Sequence, residues 1–184
     1  GLAKVFRRDL VAEGVETHEH GRLLLQLGCE CAQGYGIARP MPAADFLPWL
    51  QSWAAPAFWK CTPTLQTQWL PLLYGMVESR ACVLVLEHYL QGLSSREPEA
   101  DVRSCGFARW VHDLKDAQLQ AMGFERQSPS WLSVLDLHEQ LHTSIAALVQ
   151  QCQTQGRSAA LERLPHLWAL RERLLLALQD FLPQ

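Results

Sequence analysis

Two histidines and a cysteine in the second half of the chain carry side chains that could bind a metal ion together. His138 and His142 are four residues apart, so on a helix both rings leave the same face. They fall on an apolar stripe, where two neutral imidazoles are costly to bury without partners. Cys105 can supply a thiolate from a separate segment, and zinc favours mixed Cys/His tetrahedra. This pattern predicts a zinc site, and the alternative is a pair of core histidines bonded to backbone carbonyls or water.

A second group of polar residues lies near the start of the chain. Glu13 follows an apparent strand, Leu10–Ala12, and Gln33 lies at the end of the next one. At the C-terminal end of a barrel strand a carboxylate can hold a divalent cation or a metal-bound water, and an amide can fix a substrate. The alternative is a solvent-side glutamate and a capping glutamine.

The first part of the chain alternates strand and helix patterns. A strand over 10–12 is followed by a helix over 18–27 with Thr17 as its N-cap, a strand over 31–35 and a helix from 43 to about 53. This order implies that the two strands pair in parallel. Residues 54–64 contain two prolines and little periodicity, which predicts a linker.

From residue 65 the pattern is helical to the end of the chain. We predict four helices in an antiparallel bundle, over 71–91, 105–119, 129–155 and 158–182. Pro165 is expected to kink the last of them. The predicted fold is therefore mainly α, with a β-α-β-α segment over 1–53, a linker over 54–64 and a helical bundle over 65–184.

Three short motifs near the start resemble one known family. They are Val-Ala-Glu-Gly-Val-Glu-Thr over 11–17, Ala-Gln-Gly-Tyr over 32–35 and Arg-Pro-Met-Pro over 39–42. In these motifs, residues 10–46 resemble the C-terminal end of the EAL domain, a bacterial phosphodiesterase that hydrolyses cyclic di-GMP. The resemblance implies that the β-α-β-α segment is the last quarter of a (β/α)8 barrel.

The same resemblance assigns roles to three residues. Glu13 would be an active-site carboxylate near the metal, Gln33 a polar active-site residue, and Glu16 the support of a loop. The complete parent would use Mg2+ or Mn2+ to hydrolyse cyclic di-GMP. The family's Glu-Ala-Leu strand, its metal-binding Asn, its paired aspartates and its catalytic Lys are not among these residues. Because two-metal hydrolysis needs several carboxylates, we predict that this chain alone is inactive.

The helical part resembles a second family, the chemoreceptor zinc-binding domain. The shared signature is Cys105 with Phe107 and Trp110 behind it, and then His138 and His142, although Ala108 stands where that family favours Gly. The resemblance implies that three His and one Cys bind zinc, and that zinc regulates an attached output domain.

The resemblance leaves the fourth ligand open. The family places a His on a helix well before the Cys. His88 is the preferred candidate, Cys82 is the alternative and Glu78 is a more distant option. His112 is expected to face solvent.

Composition limits the other functions. The net charge of −3 and the lack of a Lys/Arg run argue against nucleic-acid binding. The longest apolar run, Ala81–Leu86, is too short to cross a bilayer, and no signal peptide is evident. Six scattered cysteines favour reduced thiols and a cytoplasmic location.

Together these features predict the regulatory, zinc-sensing C-terminal part of a bacterial cyclic di-GMP phosphodiesterase. The complete parent would take cyclic di-GMP as its substrate, and a second copy of the chain, in a homodimer, is the other candidate partner. The alternative is a metal-free helical module used for dimerisation or interaction. Bound metal would distinguish the two interpretations.

Overall fold

The computed structural model describes residue 6 and residues 8–183. Residues 1–5, 7 and 184, at the outer ends of the predicted domains 1–53 and 65–184, lie outside the described residues. The described chain is mainly helical, which confirms the predicted class at that level. It divides into two compact units between Thr67 and Gln68.

The first unit contains two short strands, β1 (Val11–Ala12) and β2 (Cys31–Ala32). They pair in parallel, as predicted, with Val11 opposite Cys31 and Ala12 opposite Ala32. Between them lies helix α1 (His18–Gln26), where the Thr17 hydroxyl accepts a hydrogen bond from the His20 amide at 3.2 Å. Helix α2 (Ala43–Ser52) follows β2. The parallel pairing brings the C-terminal ends of both strands to the same edge.

The segment predicted as a linker contains a helix, α3 (Ala57–Lys60), which packs on α1. The Trp59 indole donates a hydrogen bond to the His18 carbonyl at 2.8 Å, and its ring lies against Gly21. The Leu65 amide donates to the Gln26 carbonyl at 2.8 Å. Trp59 thus fixes α3 against α1, although the sequence of this segment lacks helical periodicity.

The second unit is helical throughout its regular elements. Its α-helices are α4 (Leu70–Gln91), α5 (Gly106–Asp113), α6 (Asp116–Ala121), α7 (Pro129–Gln155), α8 (Arg157–Leu161) and α9 (Leu164–Gln179), and a short 3-10 helix (Val102–Ser104) precedes α5. Helix α9 packs against α4 and α7, and α4 packs against α5. Its core contains fully buried leucines and Trp131.

Two of the predicted helices are each divided in two. The helix predicted over 105–119 is interrupted at Leu114 and Lys115, which both adopt extended backbone conformations. The helix predicted over 158–182 is α8 followed by α9. Pro165 does not kink a continuous helix but lies in the first turn of α9, where its missing N–H needs no partner.

Among the described residues, Thr67–Gln91 is the one helical segment with the length and composition to cross a membrane. Core helices of helical domains share both properties, so this is weak evidence for a span. One face of α4 is buried, including Leu72, Val83 and Leu86, each with no exposed surface.

Candidate metal centre

Helix α7 carries the two histidines into the core of the second unit. The helix begins where the Ser128 hydroxyl accepts a hydrogen bond from the Trp131 amide, and Pro129 occupies its first turn. His138 and His142 lie on its buried face and are each only 5% exposed. A capped helix with a buried apolar stripe therefore fixes both imidazoles in place.

The structure brings Cys105 to these histidines. Cys105 immediately precedes α5, and its Sγ lies 3.4 Å from Nε2 of His138. One ligand atom from each of Cys105, His138 and His142 lies within 4.8 Å of the other two. Three predicted ligands, separated by up to 37 positions in the sequence, thus meet at one place.

The distance between two of these atoms fits a tetrahedral zinc ion. With a Zn–S bond of about 2.3 Å and a Zn–N bond of about 2.05 Å, a sulfur and a nitrogen on a tetrahedron lie about 3.6 Å apart. The Sγ–Nε2 distance of 3.4 Å between Cys105 and His138 is close to that value. Thiolate and imidazole are also the donors that structural zinc sites use.

A backbone carbonyl orients His142. The Ala100 carbonyl oxygen lies 3.2 Å from Nδ1 of His142. A carbonyl can only accept, so Nδ1 carries the proton and Nε2 is left with a free lone pair. Hydrogen bonds of this kind commonly fix the tautomer and ring orientation of metal-binding histidines.

Aromatic packing supports His138 from the side of α5. The Phe107 ring is 2% exposed, and its centroid lies 5.0 Å from that of His138 in an edge-on arrangement. Gly75 on α4 makes this packing possible, because a Cβ there would lie 2.6 Å from the Phe107 ring. The close approach of α4 to α5 therefore helps to place the candidate ligands.

Burial acts on the two ligand types in opposite directions. It lowers the pKa of His138 to about 4, with the neighbouring His142 adding to the effect. It also lowers the pKa of His142, against the hydrogen bond to Ala100 and nearby acidic groups. Burial raises the pKa of the Cys105 thiol, although the amides of Ala108 and Phe107 act the other way. At neutral pH the metal-free site therefore holds two neutral imidazoles and a protonated thiol.

The three candidates for a fourth ligand lie at different distances from this cluster. His88 is exposed and is not among the residues brought together; it lies ten residues after Glu78, about 15 Å along the helix. Cys82 is half-buried, and burial raises the pKa of its thiol, with smaller contributions from Cys105 and Glu78. Oε2 of Glu78 lies 3.4 Å from the Cys105 Sγ, although Glu78, like His88, is not among the residues whose donor atoms all lie within 4.8 Å of one another. His112 is exposed, as predicted.

In the first unit, Glu13, Glu16 and Gln33 line one open depression, together with Tyr35 and Arg39. All five side chains are exposed. The Val15 amide donates a hydrogen bond to the Gln33 carbonyl at 3.0 Å, which ties the loop after β1 to the end of β2.

Gly34 is required for this close approach. A Cβ at position 34 would lie 2.3 Å from the backbone nitrogen of Val15. The depression thus gathers the three residues expected from the barrel resemblance, and two of them are carboxylates that a divalent cation could bind.

Comparison with known proteins gives short matches. PdeN of Escherichia coli, named a probable cyclic di-GMP phosphodiesterase, is 50% identical over 50 residues, which are 27% of this chain and 10% of PdeN. The cyclic di-GMP phosphodiesterase RocR of Pseudomonas aeruginosa is 52% identical over 46 residues, 25% of this chain and 12% of RocR. MucR of the same organism, a bifunctional diguanylate cyclase/cyclic di-GMP phosphodiesterase, is 44% identical over 46 residues, 25% of this chain and 7% of MucR.

The chain thus spans about a tenth of the length of these relatives. No family model and no solved structure matches it. The resemblance of the helical part to zinc-binding domains accordingly stays a prediction. The matches confirm the other resemblance in its coarser form: about a quarter of the chain is related to EAL-domain cyclic di-GMP phosphodiesterases.

Proposed function

We propose that the second unit is a zinc-binding regulatory module of a cyclic di-GMP phosphodiesterase signalling protein. The observation that carries this proposal is the meeting of Cys105, His138 and His142 within 4.8 Å. Zinc bound there would join the start of α5 to the middle of α7. Gain or loss of the ion would change how tightly these elements are held, which is the property a sensor needs. A cytoplasmic location belongs to the same proposal.

The first unit would contribute to the catalytic barrel of the complete parent. Glu13 and Gln33 would face the cyclic di-GMP site, and Glu16 would support the loop after β1. The support comes from their shared depression and from the names of the relatives. In that barrel Mg2+ or Mn2+ would activate water for phosphodiester hydrolysis.

Metal content tests the zinc proposal. Protein purified without added metal or chelator should contain close to one zinc per chain by elemental analysis. The double variant Cys105→Ala/His142→Ala should contain almost none. His88→Ala is the matched control and should keep the wild-type content. Absence of zinc from the wild-type protein, even after zinc is offered, would contradict the proposal.

The second candidate function is a metal-free module for dimerisation. It is favoured by three apolar side chains along α4, Tyr74, Val77 and Leu84, which are between 44% and 50% exposed. They are spaced three and seven residues apart, so they lie along one side of the helix. Light scattering on the metal-free protein would show a dimer that Val77→Glu dissociates if this candidate is correct.

A further inference from the structure

A carboxylate on α4 contacts Cys105, one of the three candidate ligands. Oε2 of Glu78 lies 3.4 Å from the Cys105 Sγ and accepts a hydrogen bond from the Phe107 amide at 3.0 Å. Glu78 is half-buried, and the second oxygen of its carboxylate is not used in these contacts. A carboxylate oxygen is a zinc ligand at about 2.0–2.2 Å, the same range as imidazole.

The backbone at the start of α5 leaves room for this carboxylate. A Cβ at Gly106 would lie 2.4 Å from Oε1 of Glu78, so a larger residue there would displace the carboxylate from this position. Gly106 follows Cys105 directly, and the same turn therefore presents the thiol and admits the carboxylate. An oxygen donor from Glu78 on α4 therefore lies beside the Cys105 sulfur.

We propose that Glu78 is the fourth ligand of the zinc site, completing a Cys/His/His/Glu set. This inference rests on the proposed zinc function and assigns the position for which sequence left His88, Cys82 and Glu78 open. His88 is exposed and lies about 15 Å away along the helix, too far for a ligand. Cys82 lies one turn beyond Glu78 and would have to replace a donor that already touches Cys105.

The charges support a carboxylate in this position. A thiolate and a carboxylate together balance the two positive charges of zinc, so the buried site would be neutral. With only two neutral imidazoles and one thiolate as ligands, the zinc site would carry a net charge of +1, and a partly buried net charge is unfavourable. Glu78 would also link α4 to the site, so that the ion joins α4, α5 and α7.

Zinc affinity tests the assignment. Competition with a chromophoric chelator should show that Glu78→Gln weakens zinc binding by more than the about 10–100-fold that loss of a hydrogen-bonding partner behind a ligand costs. Glutamine keeps the volume and can still accept the Phe107 hydrogen bond, so folding should be retained and can be checked by thermal melting. Glu78→His, which restores a strong donor, should bind zinc more tightly than Glu78→Gln.

Cys82→Ser and His88→Ala are the matched controls on the same helix, and both should keep the wild-type affinity. X-ray absorption at the zinc edge should show one sulfur ligand per zinc, whereas ligation by Cys82 would show two. Wild-type affinity in Glu78→Gln, or a loss in Cys82→Ser, would overturn the role of Glu78 while leaving the zinc function intact. A wild-type protein that binds no zinc would overturn both.

Discussion

Burial favours the uncharged forms of the candidate ligands His138 and Cys105. His138 is held neutral because its imidazolium would lose hydration in the core, and the same core disfavours the Cys105 thiolate. A divalent ion reverses the second effect by offering the thiolate a positive partner. The two imidazoles and the thiol are thus uncharged in the metal-free protein, and binding of a divalent cation would release the thiol proton.

The stability of the metal-free protein should fall in mild acid because of His138. Its pKa is lowered from 6.5 to about 4 in the folded state, so between these values the unfolded chain binds more protons. The free energy of unfolding should therefore decrease as pH falls from 6.5 to 4, by on the order of 3 kcal/mol. Urea unfolding of chelator-treated protein at several pH values would measure this decrease in the free energy of unfolding.

His138→Gln is the control for that experiment. Glutamine does not titrate, so its stability should depend less on pH across the same window. An unchanged dependence in the variant would show that His138 is not the group responsible.

Zinc uptake at pH 7 should release close to one proton per ion, and the proton should come from Cys105. Both imidazoles are already neutral at that pH, and the pKa of the thiol is raised. Calorimetry in buffers of different ionisation enthalpy counts the protons released. Cys105→Ser, measured at saturating zinc, should release almost none. Two protons from the wild-type protein would instead indicate a second thiolate.

At the scale of elements, the ligands are positioned by the close packing of α4 on α5. Gly75 permits the Phe107 ring to lie against α4, and the ring in turn supports His138. Phe107 also touches Trp110, with ring centroids 5.7 Å apart, so it has little freedom to move. A glycine inside a helix, normally unfavourable by about 1 kcal/mol relative to alanine, is retained here by a packing requirement.

Gly75→Ala should therefore destabilise the second unit and weaken zinc binding. The added methyl would lie 2.6 Å from the Phe107 ring, and the overlap should outweigh the gain in helix propensity. We expect a loss of about 1–3 kcal/mol in unfolding free energy, as for other overpacked cores. Tyr74→Ala, on the exposed side of the same helix, should change zinc affinity little. Higher stability in Gly75→Ala would contradict this account.

Sequence predicted those elements whose ends carry strong local signals. Ser128 with Pro129 marks the start of α7, and Gly156, at a φ of 90°, follows its end. The break at Leu114 and Lys115 has no glycine or proline to mark it, so the division into α5 and α6 was missed. The helix α3 was missed because it depends on the contact of Trp59 with His18 in α1, 41 residues earlier in the chain.

The same distinction applies to the candidate site. His138 and His142 could be identified because they share a helical face, and Cys105 because of the signature around it. The place of Glu78 depends on how α4 meets α5 in space, which no local pattern records. The Ala100 carbonyl that orients His142 belongs to a loop, where the side-chain sequence gives no signal.

At the scale of the whole molecule, the two units differ in how many of the metal donors required for their proposed functions they contain. The second unit contains its candidate ligands within itself. The first unit offers two carboxylates, Glu13 and Glu16, and one amide, Gln33, in an exposed depression. A pair of metal ions acting on a phosphodiester needs several carboxylates arranged around both ions. The depression presents too few donors for that arrangement.

The 184 residues alone should therefore fail to hydrolyse cyclic di-GMP. Purified protein incubated with cyclic di-GMP and Mg2+ or Mn2+ should form no linear product above a protein-free blank, as followed by chromatography. The same preparation should still bind zinc, because Cys105, His138 and His142 all belong to the second unit. Hydrolysis that rises with protein concentration and disappears in Glu13→Gln would contradict this expectation. It would show that the depression at the ends of β1 and β2 holds a catalytic metal by itself.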